Sequence, residues 1–318
     1  MNTSDFTLSN GQEVILPKIV PEDFVPYWEA ETFTNEQHHS HHESISSSSL
    51  KLLLDSPYTY LETIKRKQDG YPSKQSKSMK FGTIAHLIIL EPSEFRRRVV
   101  LAPSFDRRTT VGKEGWTAFI ADQHPDAIIF PSNEEGRSEY ENFVGVVNAI
   151  ANHEKARDIF KEGVTERSGF FRCPRTGILT RFRPDFLSTI FKNGLMADFK
   201  TARSSEYRKF QNQAEELKYH IQMSLYREGY KALHGHYPEV STWVVVQNSF
   251  PYEVAIYPVD EAMITHGDNW YNYTMDLLKA CMDKRYFPQR QLKTETMVPP
   301  DWAMNKPIPK IEEHEWTV

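Results

Sequence analysis

The chain has 318 residues, 39% of them hydrophobic and 25% charged, with a formal net charge of −5. That composition suits a globular chain with a sizeable buried core, and the negative balance argues against indiscriminate coating of DNA while leaving room for a local basic channel. Two cysteines, Cys173 and Cys281, are too few for a disulfide scaffold or a four-cysteine zinc or iron–sulfur centre, and no apolar run approaches the ~20 residues needed to cross a bilayer.

The start, MNTSDFTLSNGQEV, has no basic segment leading into an apolar one, so no secretory leader is expected and a reducing, cytoplasmic setting fits best. Residues 1–44 read as an irregular N-terminal extension. It ends in His38, His39, His41 and His42, whose spacing reads as a loop rather than a closed metal site. Order is expected from Ile45. The serines Ser46, Ser47, Ser48 and Ser49 offer a helix N-cap ahead of an apolar stripe at Leu50, Leu53 and Leu54, which Ser56-Pro57 interrupts.

Residues 81–91, FGTIAHLIILE, read as an apolar helix with one histidine inside it. Between residues 65 and 113 there are twelve Lys or Arg against four Asp or Glu, a surface suited to tracking phosphates. Residues 96–136 are mixed, with a short extended piece at 127–130, and a helical pattern runs from about 138 to 161. The period then changes. Residues 166–173, 177–188 and 194–201 read as three strands, a long helical stretch follows from about 204 to 233, residues 241–248 and 252–259 read as a hairpin, and a helix from about 260 to 285 closes the core. The main domain is thus expected over 45–287, with a Pro- and charge-rich C-terminal tail over 288–318. Helices, three strands, helix, two strands, helix makes an α/β fold, a sheet with helices packed on it.

Chemistry concentrates in the second and third strands. Asp185 lies in RFRPDFL, and Asp198 and Lys200 lie in MADFKTA. Alternation puts Asp198 and Lys200 on one face of a strand and Phe199 on the other, and a short turn brings Asp185 alongside. Asp and Lys are poor strand residues, and amid Leu195, Met196, Ala197 and Phe199 they point to a site rather than to packing. Phosphodiester cleavage needs hard cations on carboxylate oxygens, which activate water and stabilise the leaving oxygen, and a nearby lysine that orients the water, takes its proton or offsets phosphate charge. Two further features stand out: Gly82-Thr83 with His86, where the glycine permits close backbone approach, and Gln222 with Tyr226, four apart on one helix face.

Together these residues resemble the nuclease domain of the RecB-like and lambda-exonuclease-like branch of the PD-(D/E)XK superfamily, and most of all its RecE-type phage and prophage exonucleases. Ile45 to Leu50 with Ser56-Pro57-Tyr58 is similar to that branch's opening helix, Gly82-Thr83-x-x-His86 to its first motif, Pro184-Asp185 to its second, Asp198-x-Lys200 to its third and Gln222-x-x-x-Tyr226 to its last. The resemblance implies a restriction-endonuclease-like core, a central mixed β-sheet flanked by helices. It implies a metal held by His86, Asp185, Asp198 and the Phe199 carbonyl, with Mg²⁺ native and Mn²⁺ able to substitute. Lys200 would position or deprotonate water, Gln222 orient the nucleophile or a phosphate, and Tyr226 support it. Ser46 or Ser48 at a helix start is expected to receive a 5′-phosphate, and Arg181 and Arg183 to contact DNA.

The same resemblance implies an exodeoxyribonuclease that degrades linear double-stranded DNA from 5′ ends, leaving 3′ tails for a single-strand annealing protein. It further implies a ring-shaped homo-oligomer, a trimer or tetramer, in a bacterial host cytoplasm. No iron–sulfur cluster is expected, and no ATP, since a G-x-x-x-x-G-K-[ST] loop is missing from the sequence. The alternatives are a structure- or sequence-specific endonuclease on the same scaffold and a catalytically inactive DNA-binding module.

Overall fold

The computed structural model describes residues 5–7, 13–71, 81–82, 84–86, 99–123, 127–290 and 297. Much of the basic stretch at 65–113, the residues after His86 that include Glu91, and most of the expected tail lie outside them.

The centre is a five-stranded mixed sheet of β6 (Gly163–Thr165), β9 (Phe186–Ser188), β10 (Leu195–Ala202), β11 (Val240–Gln247) and β12 (Val254–Pro258), in the order β12-β11-β10-β9-β6. Strands β10 and β11 run parallel and the remaining pairs antiparallel. A parallel pair needs a long crossover, and here α7 (Tyr207–Glu216) and α8 (Tyr219–His234) supply it. A second sheet of β3 (Tyr27–Trp28), β7 (Gly169–Arg172) and β8 (Leu179–Phe182) sits beside it.

Strand β10 decides which face does what. Leu195, Ala197 and Phe199 join Val244 and Val246 in a core closed by Val146 and Ile150 of α5 (Glu134–Asn152) and Ala156 and Ile159 of α6 (Glu154–Ile159). Met196 and Ala202 face the opposite core, with α2 (Ser47–Asp55), α3 (Pro57–Gln68), α8 and α9 (Glu261–Lys284). By alternation Asp198 and Lys200 lie on this second face, toward α8.

Several expectations are corrected. The single strand over 177–188 is two strands in different sheets, β8 and β9, separated by Arg183, Pro184 and Asp185. The helical stretch 204–233 breaks at Lys218, which takes a left-handed conformation, φ 57°. The 138–161 pattern is α5 and α6, divided at His153, which caps the second helix. Helix α4 (Thr110–Ala121), capped by Thr109, occupies a stretch read as mixed. Ser56-Pro57 ends α2 but also starts α3, with Ser56 as N-cap and Pro57 in the first turn.

Residues 13–44 are not an irregular arm. They hold β2 (Glu13–Ile15), which pairs with β1 (Asp5–Thr7), then β3, then α1 (Asn35–Ser40), whose Thr34 and Gln37 form a reciprocal capping box. His38 is buried and bonds through Nδ1 to Ser168 Oγ at 3.0 Å; burial first, then Arg181, pushes its pKa far down. His38 is therefore packing and His39 an exposed residue of α1, while His41 and His42 lie in the turn that follows the helix. At the other end Pro288 accepts from the Tyr58 N–H and Arg290 Nε donates to the Asp55 carbonyl.

Candidate active site

Pro184 has no N–H to give a ladder, and it falls where the chain leaves one sheet for the other. The next residue, Asp185, emerges at that crossover. β9 then pairs antiparallel with β10, Phe186 opposite Ala197 and Leu187 opposite Met196, which brings Asp185 beside the next part of β10. Its Oδ2 accepts the Phe199 N–H at 2.7 Å. Asp198 is 1% exposed, and Lys200 Nζ lies 2.6 Å from its Oδ2. His86, on a helical turn with Ile84 and Ala85, points Nδ1 at Asp185 Oδ2, 3.5 Å away, and sets its ring edge-on to Phe199.

From the far side α8 presents Gln222 and Tyr226. Gln222 Nε2 donates to Asp198 Oδ1 at 3.1 Å and lies 3.1 Å from the Tyr226 hydroxyl. All seven sequence-predicted positions of the centre (His86, Asp185, Asp198, the Phe199 backbone, Lys200, Gln222 and Tyr226) thus meet at one place.

The electrostatics are those of crowded carboxylates taken out of water. Burial first, then Asp198, raises the Asp185 pKa well above the ordinary carboxylate range. Burial works against charge on Lys200, yet Asp198 and Asp185 outweigh it and hold the ammonium above its usual pKa. His86 is lowered to about 4, by burial and then by Lys200, so its ring is neutral and a lone pair is free for a ligand role. Burial, Asp198 and Asp185 raise the Tyr226 phenol.

The sequence of residues 46–297 matches the family model described as a PDDEXK-like domain of unknown function (DUF3799). The chain belongs to that family. A search of curated protein sequences finds no match. Among solved structures, the PDDEXK-like chain overlays the crystal structure of a putative exonuclease from Eubacterium rectale with a TM-score of 0.54 at 10% identity, over 89% of this chain and 95% of that one, a likeness of fold. The crystal structure of SSO0001 overlays with a TM-score of 0.27 at 13% identity, over 67% of this chain and 83% of that one, and carries no argument. The chain therefore has a PD-(D/E)XK nuclease domain, an α/β fold around a mixed sheet.

Nucleases of this family generally use divalent metal, and the residues fit one. Among the described residues, Asp198 Oδ2 is buried with no hydrogen-bond donor in good geometry, and the Lys200 ammonium is its close partner. Two carboxylates of which one is held abnormally basic, with a neutral imidazole beside them, make a donor set that a hard or borderline dication satisfies.

The PDDEXK-like site also contains residues that the sequence did not announce. Lys51 of α2 donates from Nζ to Gln222 Oε1 at 3.3 Å, and the Tyr219 ring carries both Lys200 Nζ at 4.8 Å and Lys51 Nζ at 5.3 Å from its centroid. Burial, then Lys200, lowers Lys51 to about 7, against the pull of Asp198. Glu166, at φ 42°, donates its N–H to the Asp185 carbonyl, and its carboxylate adds to the pressure on the Asp185 carboxyl. A charged residue with positive φ beside the crossover is the signal a structure gives and a sequence does not.

Other sequence-predicted residues have different jobs. Arg181 is buried and its Nη1 donates to the carbonyls of His41 and Ser44 and to Ser44 Oγ at 3.0 Å; it anchors the N-terminal segment instead of meeting DNA at the surface. Arg183 Nη1 donates to Ser168 Oγ at 2.8 Å, with Nη2 3.5 Å from Glu166, so it too is committed internally. Ser46 is the buried N-cap of α2, bonded to Ser48 Oγ and Ser49 Oγ; of the two serines expected to meet a phosphate, only Ser48 is exposed. Among the described residues, a Cβ on Gly82 would meet Thr201 Oγ1 at 3.7 Å, an ordinary contact.

Proposed function

We propose that the chain is a Mg²⁺-dependent exodeoxyribonuclease that hydrolyses linear double-stranded DNA from 5′ ends and leaves 3′ single-stranded tails for strand annealing. The observation that carries it is the pairing of Asp185, at the sheet crossover, with Asp198 and Lys200 on one face of β10, within a PDDEXK-like domain.

Asp185, Asp198, His86 and the Phe199 carbonyl would hold the ion, which when bound polarises the phosphate and lowers the pKa of the attacking water. The chain's own residues do the rest. Lys200 is fixed against Asp198 on the face of β10 toward α8 and neutralises charge building on the phosphate. Gln222, locked by Asp198, Tyr226 and Lys51, is positioned to orient the nucleophile. Ser48, exposed in the first turn of α2, is the residue proposed to meet a terminal phosphate.

The 5′ polarity, the annealing partner and a three- or fourfold ring rest on the RecE-type resemblance of the five motifs. The negative net charge with a basic stretch at 65–113 suits a channel lined by cations, and predicts activity that falls steeply with salt. One experiment separates the readings: linear duplex labelled at either end, and a closed circle, each with Mg²⁺. Release of 5′-terminal nucleotides from linear DNA and an intact circle support the proposal. A cut circle makes the protein an endonuclease, 3′ release reverses the polarity, and an inert protein leaves a binding module.

A further inference from the structure

Away from the carboxylate centre, three potential ligands converge where α7, α8 and α9 meet. Glu215 is the penultimate residue of α7, His220 is the second residue of α8, and His266 lies in the second turn of α9. The Nε2 of His266 is 2.9 Å from Glu215 Oε2, and His220 Nδ1 is 3.4 Å from the same oxygen. One ligand atom from each of the three lies within 4.8 Å of the others. Among the described residues this is the only such grouping of three histidine, cysteine or carboxylate side chains.

His220 is the telling member. It is 1% exposed, and neither ring nitrogen has a hydrogen-bond partner. Buried polar groups are nearly always satisfied, and an unsatisfied one costs about 1–3 kcal/mol. An imidazole in that condition, facing a carboxylate and a second imidazole, has its nitrogens free to act as metal ligands. Burial lowers its pKa to about 4, so the lone pair is available at neutral pH.

The backbone holds the arrangement in place. Gly267 follows His266, and a Cβ there would fall 2.6 Å from the His220 carbonyl oxygen and 2.5 Å from Ser224 Oγ. Only glycine lets α9 come this close to α8, and that contact sets the His266 ring against the His220 ring at 4.6 Å between centroids. Helix α8 also needs support at this end. Its N-cap, Lys218, is in the left-handed region and makes no side-chain capping bond.

We infer that Glu215, His220 and His266 form a second metal site, for a transition-metal dication of the zinc class, which clamps the start of α8 to α9. Two imidazoles and one carboxylate select Zn²⁺, Co²⁺ or Ni²⁺ over Mg²⁺, which prefers oxygen ligands and water. Ligand atoms at zinc-like bond lengths in a tetrahedron stand about 3.4 Å apart, close to the two separations from Glu215 Oε2 here. Binding at His266 Nε2 displaces the hydrogen bond to Glu215 Oε2; the neutral imidazole takes its Nδ1–H tautomer, the Nε2 proton being replaced at Nδ1 through solvent, and a water completes the shell. Glu215 Oε1 keeps Lys218 Nζ at 3.4 Å, and that ammonium lowers affinity without blocking Oε2. Access is open, because His266 also lines a cleft of about 510 Å³ beside Phe210, Trp243 and Tyr257. The clamp lies two residues before Gln222, so it steadies the helix turn that reaches the carboxylate centre.

The test is Co²⁺ titration of chelator-stripped full-length protein in excess Mg²⁺, read by visible d–d absorption and by melting temperature. The expected result is one equivalent bound in a four- or five-coordinate nitrogen-containing site, with a rise in melting temperature. His266→Ala and Glu215→Gln, both at exposed positions, should each weaken Co²⁺ about 10–100-fold or more while the metal-free protein melts as wild type. An Asp185→Asn, Asp198→Asn double variant should bind Co²⁺ as wild type does. Absence of binding in wild type, unchanged affinity in His266→Ala, or loss of the signal in the double variant would each overturn the assignment.

Discussion

Asp185→Asn tests the site's electrostatics apart from its chemistry. Asparagine has the shape of aspartate, and its Oδ1 can still accept the Phe199 N–H that Asp185 Oδ2 receives at 2.7 Å, so neither a cavity nor an orphan amide is created. What changes is charge. Wild type buries Asp185 and Asp198 together against Lys200, and Asp185 is held well above its ordinary pKa by burial and by Asp198. A carboxyl with a raised folded pKa stabilises the protein relative to its ionised state only below the unfolded value, here 3.8, and that stability is lost as pH rises through the folded pKa. Above the folded pKa the metal-free wild type therefore carries the full cost, and the neutral variant carries none of it. The expected gain for Asp185→Asn at neutral pH is about 0.5–2 kcal/mol, the usual range when a functional site is relieved. That is a rise in melting temperature of roughly 2–6 °C for a domain of this size, measured by calorimetry in chelator. The advantage should shrink as pH falls toward 3.8. Cleavage in Mg²⁺ should vanish at the same time. A metal-free variant that melts lower than wild type, or one that still cleaves, would refute the reasoning.

Lys200→Ala should lower the single-turnover rate about 10²–10⁴-fold with little change in DNA affinity; quench-flow separates the two, and a loss of affinity alone would make Lys200 a simple phosphate contact. Lys51→Met removes one hydrogen bond to Gln222 and should cost about tenfold or less in rate, whereas Gln222→Ala, which also abandons Asp198 and Tyr226, should cost more; equal effects would mean that Lys51 touches substrate itself. Because protons compete for the basic Asp185 carboxyl, half-saturating Mg²⁺ should climb as pH falls through that raised pKa, and a Mg²⁺ requirement independent of pH would contradict the shift.

The motif strands were legible because their chemistry violates their pattern: Asp198 and Lys200 interrupt an apolar run at period two. The hairpin of β11 and β12, and α9, were legible from periodicity alone. The break at Pro184 was not, since the segments on either side of that proline both read as strand, and only the pairing of β8 and β9 with different partners shows two sheets. The break at Lys218 has no glycine or proline to mark it. Arg181 looked like a surface cation because nothing in the sequence says that His41 and Ser44 fold over it. Lys51 and Glu166 escaped for a related reason. Lys51 lies 171 residues from Gln222, a contact set by packing of α2 against α8, which no local window contains.

The two lysines on the Tyr219 ring divide the work that sequence reading left to one. In the metal-free site Lys200 is pinned as an ammonium by Asp198 and Asp185, which makes it a poor base in that state. Lys51, depressed by burial and by Lys200 to about 7, already sits near neutrality. Its bond to Gln222 Oε1 survives loss of a proton, because a neutral amine still donates. Bound cations invert local pKa logic. A divalent ion held by Asp185 and Asp198 would weaken the hold that keeps Lys200 charged, while its burial would remain. In the bare site the lysine is the counter-ion of the two carboxylates, with Nζ 2.6 Å from Asp198 Oδ2.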